Sequence, residues 1–320
     1  MKISTINNLI DLFWSSKKQM LLFAFWKNST NTTIYKNTFL YSKSGKRREI
    51  KIPTLSLKLI QRIILQDILY PHWESSTPND IIDICTWFCR WKSIIDNAKP
   101  HINKKLIIKI DLKNFFPSIS QTRVFGMFHK TLWYNIQISS ILSWLSTYDN
   151  QLPQWAPTSP LIANIICKNL DIRIINYLKK ISKSQWIKLN YTRYADDITV
   201  SLSENNIYIA DFISSKIFLI IKEENFIVNY KKYKIVSNNH RQKVTWIIVN
   251  SKISLWRKKY RTLKSIVHNI NKNWWEIELA KWNSINNLDL SLEDFQYHLK
   301  WKISYFSSIN NIYKENLILY

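Results

Sequence analysis

Hydrophobic positions change period several times along this chain, and each change predicts an element. Leu9, Leu12 and Phe13, then Leu21, Leu22 and Phe25, recur at helical spacing and predict helix within residues 1–30. Residues 32–41 alternate as a strand does. Residues 42–45 read as a turn, and residues 49–52 return as a second strand closed by Pro53. The hairpin so formed carries Lys46, Arg47 and Arg48. Leu57, Ile60, Ile64 and Ile68 then share one side of a helix predicted over residues 56–69. Leu106, Ile107, Ile108 and Ile110 make a short β-rich run that ends at Asp111. Further helices are predicted over about 120–132, 136–147, 160–181 and 206–224. Strands are predicted over about 226–229, 233–237 and 244–250, completing an antiparallel sheet. From Arg257 onward the pattern is helical and basic, with Tyr260, Leu263, Ile266 and Val267 between the cations.

One stretch carries chemistry inside an apolar setting. Residues 191–201 read as strand, turn and strand, with Ala195, Asp196 and Asp197 at the bend. Adjacent carboxylates repel unless a cation lies beside them, and a divalent ion held by carboxylate oxygens is the usual solution. A solvated acidic turn would account for a bare pair of aspartates. Here the flanks are apolar and Asp111 supplies a third acid at the end of another buried run. Three carboxylates on neighbouring strand ends would hold two Mg²⁺ ions for in-line nucleotidyl transfer.

Composition narrows the class. With 320 residues, 46 % of them hydrophobic, the chain is globular and long enough for two or three subdomains. Lys and Arg number 46 against 22 Asp and Glu, a net charge of +24 that favours a polyanion such as nucleic acid. A codon bias toward Ile, Asn and Lys contributes to that excess. Cys85, Cys89 and Cys167 form no zinc pattern and fit a reduced, cytoplasmic protein. The longest early apolar run, residues 20–25, is too short for a membrane span, so no membrane partner is expected.

The motifs resemble those of a known family. Tyr194-Ala195-Asp196-Asp197 looks like the YADD box of reverse transcriptases. Residues 110–118 resemble their first catalytic motif, and Leu152-Pro153-Gln154 followed by residues 156–160 resembles their LPQGAPTSP motif. Asn97, Ala98 and His101 are similar to an N-A-x-x-H signature that marks retron reverse transcriptases. Val244-Thr245-Trp246 is similar to the VTG signature of that group. The resemblance implies an α+β right-hand polymerase. Residues 1–104 would form N-terminal helices and fingers, 105–250 the palm with part of the fingers, and 251–320 a helical thumb. It implies Asp111, Asp196 and Asp197 as catalytic metal ligands for two Mg²⁺ ions, or Mn²⁺. Lys46, Arg48, Phe116, Gln154 and Trp155 would meet the nucleotide, with Phe116 as a gate against a ribose 2′-OH. Asn97, His101, Val244, Thr245, Trp246, Arg257 and Lys258 would meet RNA. The implied partners are a structured non-coding RNA serving as template and primer, the RNA–DNA hybrid, dNTPs and an effector protein. The implied product is branched msDNA in an anti-phage defence system. A group II intron or diversity-generating reverse transcriptase remains an alternative.

The chain departs from that family in one respect. It has 2 Gly and 15 Trp, where Gly usually makes up about 7 % of a chain. Several Trp stand where the family has Gly: Trp87, Trp91, Trp133, Trp155, Trp246, Trp256 and Trp301. Some bacteria read the UGA codon as glycine, and we read most of these positions that way. Glycine tolerates backbone conformations that an indole-bearing residue does not. If the tryptophans are real, a non-catalytic RNA-binding protein becomes the second alternative.

Overall fold

The computed structural model describes residues 3–13, 34–41, 47–254, 257–286 and 289–309. A short helix α1 (Ile6–Phe13) precedes an antiparallel hairpin, β1 (Tyr35–Tyr41) and β2 (Arg47–Pro53). Helix α2 (Leu55–Ile63) continues through a π-helical stretch (Ile64–Leu69) into α3 (Tyr70–Ser76). Then follow α4 (Asn79–Ile84), α5 (Ile94–Ala98), a 3-10 turn (Lys99–His101) and β3 (Leu106–Asp111). Next come α6 (Gln121–Gly126), α7 (Ile136–Ser146), the long α8 (Ser159–Gln185), β4 (Leu189–Tyr194) and β5 (Asp197–Leu202). The chain goes on through α9 (Ile207–Glu223), β6 (Lys234–Ser237), β7 (Lys243–Val244) and β8 (Ile247–Ile248). It closes with α10 (Arg257–Lys272), α11 (Trp275–Asn286) and α12 (Leu292–Ile309).

The central sheet has the order β4-β5-β3-β6, with every pairing antiparallel. Its middle strand is apolar at consecutive positions because both faces are covered. Leu106, Ile108 and Ile110 join Ile198, Val200 and Leu202 in the main core, which takes in Leu170 and Ile174 of α8 and Ile213 and Ile217 of α9. Ile107 points the other way and packs with Ala98, Val244, Ile247 and Val249. The strand period of two therefore sorts β3 and β5 cleanly. Even-numbered residues face the helices, and Asp111, Asp197 and Thr199 share the opposite face. Helices α10 to α12 enclose a separate core of Leu263, Val267, Ile270, Phe295, Leu299 and Phe306. Among the described residues no helix is long and apolar enough to cross a membrane.

Two predicted strands are different. Residues 226–229 add only a bridge from Val228 to Leu112, outside any strand. Residues 244–250 are not one strand of the central sheet. They turn sharply at Thr245 and Trp246, whose φ angles are +43° and +69°, and pair as the small β7–β8 hairpin. Two left-handed residues in succession at a two-residue tip reverse the chain in the sense that suits strand twist.

The tryptophans divide into groups. Trp91, Trp133, Trp186 and Trp246 have φ of +66°, +62°, +54° and +69° and are 98 %, 86 %, 94 % and 66 % exposed. Trp186 ends α8 in the left-handed conformation that glycine usually supplies there. It escaped the sequence reading, whereas Trp91, Trp133 and Trp246 were in it. Trp155 and Trp301 are exposed at ordinary dihedrals, and Trp87 is half-buried. Trp256 lies outside the described residues.

A left-handed conformation costs an L-residue about 1–2 kcal/mol, and an exposed indole recovers little of it by packing. Trp91→Gly, Trp133→Gly, Trp186→Gly and Trp246→Gly should therefore each stabilise the chain by about 1 kcal/mol. Trp301→Gly, inside α12, should cost about 0.5–1 kcal/mol. Denaturant unfolding of the single variants checks the contrast. A uniform loss across all five would remove the physical case for glycine.

Candidate active site

The β3–β5 register places Asp111 directly opposite Asp197. In the β4–β5 hairpin Tyr194 pairs with Asp197, so Ala195 and Asp196 form the tip. Facing side chains on paired strands lie about 5 Å apart at Cβ, which brings Asp111 and Asp197 together. The Leu112 N–H donates to the Asp196 carbonyl at 3.0 Å and ties the hairpin tip to the end of β3. Asp111, far in sequence from the adjacent Asp196 and Asp197, thus lies with them at one end of the sheet.

Their electrostatics are uneven. Burial, then repulsion from Asp197, pushes the Asp196 carboxyl up to about 6; Asp111 adds to the push and Lys232 opposes it. Burial is also the main cause that raises Asp197, with Lys109 acting against it. Asp111 has recruited partners. Its carboxylate accepts from Asn229 Nδ2 at 2.8 Å and from Lys232 Nζ at 2.6 Å. That contact is the first cause of a raised Lys232 pKa. The Asn229 N–H also donates to the Asp111 carbonyl at 2.8 Å. Asn229 and Lys232 were absent from the sequence reading; only their place after the apolar residues 226–228 could have drawn attention to them.

Three carboxylates, Asp111 buried and Asp196 and Asp197 partly buried, with too little positive charge suit a hard divalent cation in donor chemistry. The expectation of an assembled ligand set is not met. Among the described residues no three such side chains are gathered closely enough to hold an ion. The two Asp111 oxygens are turned to Asn229 and Lys232.

Beside the acids stands an aromatic wall. Phe116 lies in the turn after β3, with ring centroids 5.4 Å from Phe115 and 5.6 Å from Trp87; Trp87 lies 6.2 Å from Tyr194. Gln154 and Trp155 are exposed on the segment leading into α8. At 55 % exposure, Trp155 is not packed into the core. Lys46 lies outside the described residues, as do the side chains of Arg48, Arg257 and Lys258.

The expected RNA-binding group needs correction. Asn97, His101, Val244 and Thr245 are buried and offer little or no surface to a ligand. Ser93 caps α5 through a capping box with Asp96 and so fixes the start of the helix that carries Asn97. Asn97 Nδ2 then donates to Thr245 Oγ1 at 3.3 Å, and Thr245 Oγ1 donates to the Ile94 carbonyl at 3.3 Å. The His101 ring nitrogens lie 2.7 Å from Ser201 Oγ and 2.9 Å from Thr192 Oγ1. Burial, and secondarily Lys104, depresses His101 to about 3, so its imidazole is neutral at physiological pH. The two signatures do meet in space. They hold the β7–β8 tip on the sheet, and Trp246 is what that tip presents outward.

A family model described as reverse transcriptase (RNA-dependent DNA polymerase) matches residues 34–263. The chain is 39 % identical over 226 residues to the retron Ec86 reverse transcriptase of Escherichia coli, covering 70 % of this chain and 65 % of that protein. It is 28 % identical over 289 residues to the retron Mx162 reverse transcriptase of Myxococcus xanthus, covering 80 % of this chain and 57 % of that one. The chain thus spans less than two thirds of either relative. In fold it is similar to the telomerase of Candida albicans, solved in complex with a fragment of telomeric RNA. That likeness has a TM-score of 0.50 and 12 % identity, and covers 97 % of this chain and 63 % of the other. It supports the right-hand polymerase architecture.

The raised Asp196 carboxyl has a measurable consequence. Native Asp196 keeps its proton to about pH 6, against an ordinary value of 3.8. Between those values the native state holds the extra proton, so the stability contribution is present at low pH and is lost as pH rises through the native pKa. In buffer containing a chelator, Asp196→Asn should melt above wild type at pH 8 and lose that advantage at pH 4. Thermal melts at both pH values check the sign. Equal melting temperatures at pH 8 would contradict it.

Proposed function

Because the chain belongs to the reverse transcriptase (RNA-dependent DNA polymerase) family, we propose that it synthesises DNA on an RNA template. The observation that carries this reading is the register of Asp111 opposite Asp197, with Asp196 at the adjoining tip. The similarity to retron enzymes supports a narrower form. The template is part of a structured non-coding RNA, synthesis starts from a guanosine 2′-OH within it, and the product is branched msDNA. Defence against phage together with an effector protein belongs to the same narrower reading, as does action in the cytoplasm.

Reverse transcriptases generally use divalent metal ions. Asp111, Asp196 and Asp197 would hold them, two Mg²⁺ in this proposal. Bound there, the ions supply Lewis-acid activation of the primer hydroxyl and charge neutralisation at the triphosphate. The chain's own residues do the rest. The Leu112 bond to Asp196 keeps the hairpin tip against β3. Lys232 and Asn229 orient Asp111. Phe116, backed by Phe115 and Trp87, would fill the space a ribose 2′-OH requires and so favour deoxynucleotides. Lys46, Arg48, Gln154 and Trp155 would meet the triphosphate and the nascent pair. Trp246 at the β7–β8 tip, with Arg257 and Lys258 at the start of α10, would meet RNA. Asn97 acts indirectly, by holding Thr245 in that tip, and His101 by joining β4 to β5. In polymerase terms, residues 1–104 serve as N-terminal helices and fingers, 105–250 as palm and 251–320 as thumb.

Primer extension on an RNA template with Mg²⁺ and dNTPs tests the reading. Asp196→Asn should abolish extension and leave RNA affinity near that of wild type, because it removes a hard-cation ligand and not a phosphate contact. Extension by the variant at the wild-type rate would refute the assignment. Phe116→Val should lower the ratio of kcat/KM for dNTP over NTP. An unchanged ratio would make Phe116 a packing residue only.

A further inference from the structure

One buried group near the acids has no part in the mechanism above. Arg193 lies on β4, two residues before Ala195, on the face turned to α8, and it is fully buried. A guanidinium has five N–H donors, and here each finds an acceptor. Nε donates to Asp171 at 2.9 Å, and one terminal nitrogen reaches the second Asp171 oxygen at 2.8 Å and Cys85 Sγ at 3.3 Å. The other terminal nitrogen donates to Asn164 Oδ1 at 3.2 Å and to the Ala195 carbonyl at 3.3 Å. Tyr191 donates its hydroxyl to Asp171 at 2.6 Å and braces the acid from the same strand. Asn164 and Asp171 both belong to α8.

The last of these bonds differs from the others in where it ends. Ala195 is the residue before Asp196, and its φ is +55°, a conformation that an alanine holds only when its surroundings over-determine it. The peptide that precedes Asp196 is gripped through its carbonyl by Arg193, and the one that follows by Leu112 N–H. Asn164 also donates to the Trp87 carbonyl at 2.7 Å, so the same helix that steadies Arg193 steadies the aromatic wall.

We propose that Arg193, held by Asp171 and Asn164, is a positioning residue that aims the Ala195–Asp196 tip, and with it the Asp196 and Asp197 carboxylates, from beneath the sheet. A buried ion pair is weak evidence of a stabilising role, since apolar replacements are often as stable. Its planar fork suits a task that a point charge cannot perform, which is to grip a helix carboxylate and a turn carbonyl together.

The inference rests on the polymerase reading, and one set of measurements on the full chain separates the two. Arg193→Lys keeps the charge beside Asp171 and loses the fork. Melting temperature, RNA affinity, primer-extension kinetics and Mn²⁺ binding to the free protein by EPR are compared with wild type. A folded Arg193→Lys chain should keep RNA affinity and KM for dNTP within about twofold, and lose roughly 10–100-fold in kcat and in Mn²⁺ affinity. A folded variant with kcat and Mn²⁺ affinity within about twofold of wild type overturns the inference. If Arg193→Lys does not fold, the Arg193→Met/Asp171→Leu double variant, which buries no unpaired charge, is read by the same criteria. Failure of both to fold also overturns it, because the pair would then build the core rather than aim the tip. If wild type extends no primer, the polymerase reading has failed, and Mn²⁺ affinity alone decides whether Arg193 positions the acids.

Discussion

Repulsion among three carboxylates is the constraint to which the rest of the molecule answers. Asp111 and Asp197 face each other by strand register, and Asp196 is forced beside them by a two-residue tip. Left alone, such a sheet end would splay or protonate, and the Asp196 carboxyl, raised first by burial and then by Asp197, shows the second tendency. The fold opposes the first with apolar packing. Ile110 and Ile198, each one residue from an acid, are buried in the main core and lock the two strands in register. A slip of one residue would turn every core side chain of β3 to the wrong face. The placement of the acids is therefore enforced by hydrophobic side chains buried in the core.

The polar contacts around the acids divide the remaining work. Lys232 and Asn229 supply positive charge and direction to Asp111 from the segment after α9. Leu112 holds the Asp196 carbonyl from β3, and Arg193 holds the Ala195 carbonyl from below. On the acid-bearing face His101 joins β4 to β5 through Thr192 and Ser201, with its imidazole kept neutral. Burial, and secondarily Lys104, keeps the ring neutral, and its two nitrogens then meet one hydroxyl as donor and the other as acceptor.

Much of this was legible because it was local. A continuous apolar run ended by Asp111, and a β-rich stretch bent at two aspartates, fixed both the strands and the acids. The long helices followed from their period. What escaped the sequence has a common physical cause, which is dependence on partners far along the chain. Lys232 has meaning only once β6 is laid beside β3, and nothing within residues 226–233 states that pairing. Asn97 and His101 were read as ligand-facing because of the signature they resemble, while burial decides otherwise. Residues 244–250 have a strand-like composition, but two left-handed residues break them into a hairpin. Trp186 was passed over because a helix end, unlike a motif, gives no fixed place at which to expect glycine.

Left-handed residues sharpen the distinction between strain that serves and strain that does not. Asn103, Asn114, Asp149, Asn150 and Asn225 adopt positive φ at turns, which short amide and carboxylate side chains tolerate by bonding locally. Ala195 and Thr245 lack that means, but each is held: Ala195 by Arg193 through its carbonyl, Thr245 by Asn97 and Ile94 through its hydroxyl. In both cases the strained residue lies at a tip that must present a neighbour in a set direction. Trp91, Trp133 and Trp186 share the conformation with indoles turned into solvent. An unfavourable backbone persists where the surroundings over-determine it, and an exposed indole is determined by nothing. The conformations at these positions are therefore set by the flanking segments alone, which is the situation of a site built for glycine. The same test separates Ala195 from them: its conformation is anchored to a buried arginine, so the acid-bearing tip keeps its strain by construction.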